Sequence, residues 1–116
     1  MQSLPEKDSS FIYLIEQYQY AVFHPEHREQ HALKDEMREE GLKYLQRIEG
    51  VLANQNYLNG IKPGKKDVFW FNQVKRFVRI EHGWFATAPY IKTQNWVERM
   101  DAGYLSIWSK IIQRFR

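Results

Sequence analysis

The feature that most constrains the fold is the run Val-Phe-Trp-Phe at residues 68–71. Four consecutive apolar residues leave a helix no polar face for water, so the run predicts a helix buried through the middle of a domain. Pro63 and Gly64 fix its start, and we expect it over about residues 64–79. The Asp67 carboxylate can fold back onto the free N–H groups of the first turn. Gly64 and Asp67 are therefore predicted to be structural capping residues.

Four further helices are predicted around this central helix. They share apolar residues at helical spacing and span about residues 9–23, 25–54, 89–102 and 104–115. Pro25 suits the first turn of the second helix, and Gly103 resembles a cap that ends the fourth. Gly41 weakens the second helix by up to about 1 kcal/mol relative to alanine, which predicts close packing or a bend there. The sequence has no strand pattern, so we predict an all-α, five-helix domain over residues 10–116, after a flexible lead-in at 1–9.

Composition narrows the class of protein. With 43% hydrophobic and 16% aromatic residues, 116 residues suit one domain with a substantial core. The lack of cysteine excludes disulfides, thiolate metal sites and a cysteine nucleophile. The polar N-terminus does not resemble a signal peptide, and no apolar run reaches the length of a membrane span. We therefore expect a soluble, cytoplasmic protein without a membrane partner.

Charge is divided unevenly along the chain. Residues 1–60 carry a net charge of −4 and residues 61–116 carry +7. A nucleic-acid-binding protein can show such a basic half. A basic face exposed to solvent explains the same numbers, and we prefer that interpretation, so nucleic acid is not an expected partner.

The order of several short motifs resembles the C-terminal helical domain of glutathione S-transferases. Tyr57-Leu58-Asn59-Gly60 resembles the family's loop after its long helix, and Gly64 to Asp67 resembles its N-capping box. Ala88-Pro89-Tyr90, with Trp96 and Arg99 behind it, resembles the family's next helix. Tyr18-Gln19-Tyr20-Ala21 and the segment from Phe23 to His27 further resemble a bacterial subset of these proteins. The resemblance extends over essentially all of residues 10–115.

The resemblance also has departures. Gly64 stands where the capping box normally has serine or threonine, and Ile91 where the family usually has a second proline. The thioredoxin-like domain, which in the family binds glutathione and activates its thiol, has no counterpart in this sequence. The resemblance therefore implies a helical half that is inactive alone. Glutathione would be a co-substrate only when a thioredoxin-like half is supplied by a parent chain or a separate polypeptide.

The resemblance implies candidate pocket residues as well. In the family, the first helix and the C-terminal helix border the pocket for the electrophilic substrate, and the first two helices contribute to a homodimer. Tyr13, Tyr20 and Trp108 are the corresponding candidates here, and no catalytic residue is assigned. The alternative function is a non-enzymatic docking module of the same helical fold, which binds a protein or RNA.

Three histidines, His24, His27 and His31, invite a comparison with zinc sites. Pro25 separates His24 from the following helix, whereas His27 and His31 are predicted to lie on one helical face. No cysteine joins them, and the neighbouring Glu26 is an ordinary acid at a helix start. The sequence therefore leads us to expect no metal site and no bound cofactor.

Overall fold

The computed structural model describes residues 4–81 and 90–114, with side chains through residue 103. Within these residues the chain forms five helices and no strand, which confirms the all-α prediction. The helices are α1 (Ser9–Phe23), α2 (Arg28–Ala32), α3 (Lys34–Val51), α4 (Lys65–Ile80) and α5 (Ile91–Arg114). Helix α1 packs against α2, α3 and α4, and α5 packs against α3 and α4.

Helix α4 supplies much of the core. Its buried apolar residues recur at helical spacing and are Trp70, Phe71, Val74, Phe77 and Ile80. Burial is nevertheless confined to one broad face, because Val68 is 54% exposed. The prediction of a helix buried on every side was therefore wrong in this respect. The asymmetry arises because α5 and the loop before α4 leave the Val68 side of the helix uncovered.

Helix α1 begins as predicted and buries one face. The Asp8 carboxylate accepts hydrogen bonds from the backbone N–H groups of Ser10 and Phe11, at 2.9 and 3.4 Å. These bonds satisfy two of the donors that a helix start leaves free. The ring of Phe11 then stacks on Tyr44 of α3 and on Trp70 of α4, with centroid distances of 4.4 and 5.4 Å. The inner face of α1 thus anchors it to both neighbours.

The predicted second helix is divided into α2 and α3. The turn after α1 is closed by a hydrogen bond from His27 N to His24 O, so α2 starts later than Pro25. Helix α2 is capped at Leu33, whose N–H donates a 3.1 Å hydrogen bond to Gln30 O, and α3 begins at the next residue. The break lets α2 lie against the end of α1, where His31 Nδ1 is 3.1 Å from the carbonyl oxygen of Ala21.

The predicted fourth and fifth helices are one continuous helix, α5, which passes through Gly103. Gly103 was therefore wrongly predicted as a cap. A glycine inside a helix costs only about 1 kcal/mol, which the hydrogen bonds of a long helix readily outweigh. The start of α5 is held by Glu49 of α3, whose carboxylate accepts the N–H groups of Lys92 and Thr93 at 2.9 and 2.8 Å.

The buried Asp67 carboxylate joins α4, α5 and the loop before α4. It accepts hydrogen bonds from the backbone N–H groups of Leu58, Asn59 and Gly64 at 2.7, 3.1 and 3.0 Å. Its fourth donor is the indole Nε1 of Trp96 on α5, at 3.0 Å. Gly64 has no side chain to return a bond, so only the Asp67 half of a capping box is formed. Gly64 and Asp67 therefore both lie at the start of α4, where the Asp67 carboxylate accepts the Gly64 N–H.

The loop that Asp67 holds turns back on itself. Tyr57 and Gly60 exchange backbone hydrogen bonds of 3.1 and 3.0 Å. Gly60 has φ +115°, a conformation that glycine adopts without the steric cost of a side chain. The lead-in also packs against the helices, because Leu4 is buried and the carbonyl oxygen of Pro5 accepts a 2.8 Å hydrogen bond from Trp70 Nε1.

Candidate functional site

The outer face of α1, defined by Tyr13, Glu16, Tyr20 and Phe23, is unusual for its exposed aromatic rings. Tyr13 is 65% exposed, Tyr20 39% and Phe23 55%. Their positions follow helical spacing along the side of α1 opposite the buried residues, such as Phe11. The outer face therefore carries three exposed aromatic rings with Glu16 among them, and one of these rings, Tyr20, also packs against His24 and His27.

Two shallow hollows lie along this outer face. The first, of about 530 Å³, extends from Ser9 past Tyr13 to Glu16. The second, of about 270 Å³, extends from Glu16 past Tyr20 to His24. Every residue that lines either hollow belongs to α1 or its C-terminal cap, so each has a floor but no opposite wall. Tyr13 and Tyr20 thus share a face without sharing an enclosed pocket, and the side chain of Trp108 lies outside the described residues.

A cluster of potential metal ligands lies at the end of this face. His24, Glu26 and His27 place one ligand atom each within 4.8 Å of one another. Hydrogen bonds from its own backbone and from His24 hold the pKa of the Glu26 carboxyl below its usual value. His31, which the sequence grouped with the other histidines, instead points its Nδ1 at Ala21 O. Sequence analysis compared the three histidines and expected no metal site, whereas the structure gathers His24 and His27 with Glu26 and leaves His31 outside the group.

A second group of ionisable residues lies inside the domain, where α4 ends. The Tyr18 hydroxyl donates a hydrogen bond to Glu81, and Arg38 Nε lies 3.2 Å from the other carboxylate oxygen of Glu81. Burial raises the pKa of Tyr18 well above its usual value, and the bond to Glu81 adds to this effect. Tyr18 consequently keeps its proton across the physiological range, so we assign this group to the packing of α1 against α3 and α4.

A groove between α4 and α5 is more enclosed than the two hollows on α1, because two helices and the loop before α4 line it. The α4–α5 groove has a volume of about 580 Å³ and is lined by apolar and aromatic residues that include Val68, Phe71 and Met100. At one end, Arg99 lies 5.7 Å above the ring centroid of Tyr57 and donates a 2.6 Å hydrogen bond to Asn56 O. The exposure of Val68 was the feature that sequence analysis missed, because periodicity alone did not show which side of α4 would be uncovered.

No protein-family model, curated protein or solved structure matches this chain. In the part of the chain that the structure describes, no helix is both long enough and apolar enough to cross a membrane.

Proposed function

We propose that the chain is the C-terminal helical domain of a glutathione S-transferase-like protein. In this proposal the outer face of α1 receives a thioredoxin-like half and the electrophilic substrate. The supporting observation is the row of exposed aromatic side chains, Tyr13, Tyr20 and Phe23, on the helix that borders the substrate pocket in that family. Contiguous apolar patches on soluble proteins commonly mark interaction sites.

The shape of the outer face supports a role that needs a second component. Pockets that bury small molecules usually enclose about 300–1,000 Å³ and cover most of the ligand surface. The two hollows have volumes of about 530 and 270 Å³, but each is lined by α1 and its cap alone. A thioredoxin-like half placed against α1 would supply the missing wall. Tyr13 and Tyr20 would then contact the electrophile from the α1 side of the completed pocket.

In this proposal the helical domain provides apolar contacts to the electrophile, and the thioredoxin-like half binds glutathione. The reaction is attack of the glutathione thiolate on the electrophile. The buried Tyr18 is unsuited to activating that thiol, because it retains its proton and its hydroxyl is engaged by Glu81. We accordingly assign no catalytic residue to this chain and expect it to be inactive alone.

Two measurements on the purified chain test this proposal. The first is conjugation of glutathione to 1-chloro-2,4-dinitrobenzene, for which we expect no rate above the uncatalysed reaction and no calorimetric binding of glutathione. The second is fluorescence of anilinonaphthalenesulfonate, an apolar probe, which we expect to weaken in Tyr20→Ala and Tyr13→Ala. Ile61→Ala is the matched control, because Ile61 is 90% exposed on the loop before α4. Turnover by the chain alone would contradict the proposal that activity requires a thioredoxin-like half.

A second candidate function is a non-enzymatic docking module, and the α4–α5 groove favours it. The groove has walls from two helices and from Tyr57, Pro63 and Gly64 of the loop before α4, so it encloses an apolar group without a further component. The same probe distinguishes the two functions. If Met100→Ser weakens probe binding while Tyr13→Ala and Tyr20→Ala leave it unchanged, the groove is the binding surface and the transferase proposal loses its support.

The homodimer that the family resemblance implies is tested on the same samples. Sedimentation velocity over a range of concentrations would reveal self-association. If the outer face of α1 mediates it, Phe23→Ser should shift the chain towards monomer, whereas Ile61→Ala should not.

A further inference from the structure

The turn between α1 and α2 brings together three side chains with the chemistry of metal ligands. His24 Nδ1 lies 3.0 Å from Glu26 Oε1, and His27 Nε2 lies 3.9 Å from the same oxygen. All three side chains are substantially exposed, so an ion can reach them from solvent. We call these residues the His–Glu–His cluster.

The distances within the cluster are close to those of a coordination shell. Zinc binds imidazole nitrogen and carboxylate oxygen at about 2.0–2.2 Å in a tetrahedral arrangement, so two ligand atoms are roughly 3.3 Å apart. The separations from Glu26 to His24 and His27 are 3.0 and 3.9 Å, and no pair exceeds 4.8 Å. Closing the longest separation requires a movement of at most about 1.5 Å, which small rotations of exposed side chains provide.

The surrounding chain holds the cluster together before any ion arrives. The ring of Pro25 restricts the backbone between the first two ligands. A 3.0 Å hydrogen bond from His27 N to His24 O closes the turn. The ring of Tyr20 packs against both imidazoles, with centroid distances of 4.3 Å to His24 and 5.3 Å to His27. Ligands that are already gathered lose less conformational freedom when an ion binds.

We propose that the His–Glu–His cluster is a site for a divalent transition-metal ion, with Zn²⁺ as the ion it fits best. The ligands are His24 Nδ1, Glu26 Oε1 and His27 Nε2. Three protein ligands leave one tetrahedral position for water or an external donor. This assignment departs from the expectation drawn from the sequence, because the turn substitutes Glu26 for His31 in the set.

The proposed ligand set differs from that of the usual helical zinc site, and mutagenesis can distinguish the two sets. Histidines four residues apart on one helix commonly chelate a metal, and His27 and His31 have that spacing. In this structure His31 is not among the three residues whose ligand atoms lie within 4.8 Å of one another. The cluster therefore predicts that His24 and Glu26 matter and that His31 does not.

Calorimetric titration of Zn²⁺ into the tag-free chain near neutral pH tests the site. We expect one saturable ion per chain, and loss of that binding in each of His24→Ala, Glu26→Gln and His27→Ala. His31→Ala and Glu29→Gln are matched controls from the same segment and should bind as the parent does. The chain contains no cysteine, so no thiolate competes for the ion.

A stability measurement provides an independent readout. An ion that binds the folded chain raises its melting temperature, so Zn²⁺ should shift the transition of the parent and of His31→Ala but not that of Glu26→Gln. Circular dichroism without zinc would show that the exposed substitutions leave the fold intact. The proposal is overturned by the lack of saturable binding in the parent. It is equally overturned if binding requires His31 but survives the loss of His24 or Glu26.

Discussion

Helices α4 and α1 are both rich in aromatic residues, but they use them differently. Helix α4 places its aromatic residues in the core, and the Asp67 carboxylate at its start is buried with four hydrogen-bond donors. Helix α1 buries Phe11 and Tyr18 on one side, yet leaves Tyr13 and Phe23 largely in solvent on the other.

The difference indicates that the aromatic residues of α4 stabilise the core, whereas several of those on α1 form an exposed surface. Around Asp67, every interaction serves the fold, since the carboxylate joins three parts of the chain and has no access to solvent. The outer face of α1 contributes less to the fold, because Tyr13 and Phe23 are largely exposed and Tyr20 packs against the turn residues His24 and His27. Aromatic surface that the fold does not need is best explained by binding. Substitutions that affect stability and substitutions that affect binding should therefore separate between the two helices.

The largest loss of stability is expected for Asp67→Ala. The substitution leaves four donors without an acceptor, and the two in fully buried bonds, the Leu58 N–H and the Trp96 indole, cost about 1–3 kcal/mol each. We expect a loss of about 2–6 kcal/mol in the free energy of unfolding, measured by urea denaturation. The upper part of this range exceeds the loss of about 0.5–2 kcal/mol for an ordinary helix cap, because only the Gly64 N–H belongs to the capping interaction.

Two further variants control this experiment. Asp101→Ala removes a carboxylate of the same kind, but that carboxylate is 42% exposed and paired with Lys75, so the cost should stay below about 1 kcal/mol. If Asp67→Ala does not fold, Asp67→Asn preserves the shape and keeps one acceptor oxygen, and an intermediate loss is expected. Equal losses for the alanine variants at positions 67 and 101 would contradict the special role of Asp67.

Much of this architecture follows from local signals in the sequence. The start of α4 was predictable because Pro63, Gly64 and Asp67 act within a few residues of one another. The contact of Asp67 with Trp96 was not, since it joins residues far apart in the sequence and no periodicity reports it. The same holds for Glu49, which caps α5 from α3.

The candidate site was predictable only in part, for a related reason. Helical spacing places Tyr13 and Tyr20 on one side of α1, but it does not reveal which side the other helices cover. The His–Glu–His cluster depends on the turn that Pro25 begins, and sequence spacing instead grouped His27 with His31. Backbone geometry at that turn decided which side chains meet.

A smaller loss, of up to about 2 kcal/mol, is expected for Gly41→Ala, where the Phe77 ring of α4 packs against α3. A methyl group on Gly41 would lie 2.2 Å from Cε2 of the buried Phe77 ring, so the ring must move within a packed core. Overpacking costs about 1–3 kcal/mol, and the better helix propensity of alanine offsets about 1 kcal/mol of it. The close packing predicted at this glycine is confirmed.

The matched control is the same glycine-to-alanine substitution at Gly103, where the described residues leave room for a methyl group. Gly103 lies inside α5, and a methyl group there meets nothing within 4 Å among the described residues. Gly103→Ala should therefore stabilise the chain by up to about 1 kcal/mol in the same urea titration. If both alanine variants change stability in the same direction, the close approach of the Phe77 ring to Gly41 is not what limits that position.

The smallest effect on stability is expected on the outer face of α1, and it is the most informative about function. Tyr13→Ser and Phe23→Ser remove side chains that are 65% and 55% exposed, so each should change the free energy of unfolding by less than about 0.5 kcal/mol. Phe11→Ala, on the buried side of the same helix, should cost about 3–5 kcal/mol. Large losses in the serine variants would mean that the outer face belongs to the core. If stability is unchanged while binding of the apolar probe or self-association falls, these aromatic side chains serve binding and the fold does not need them.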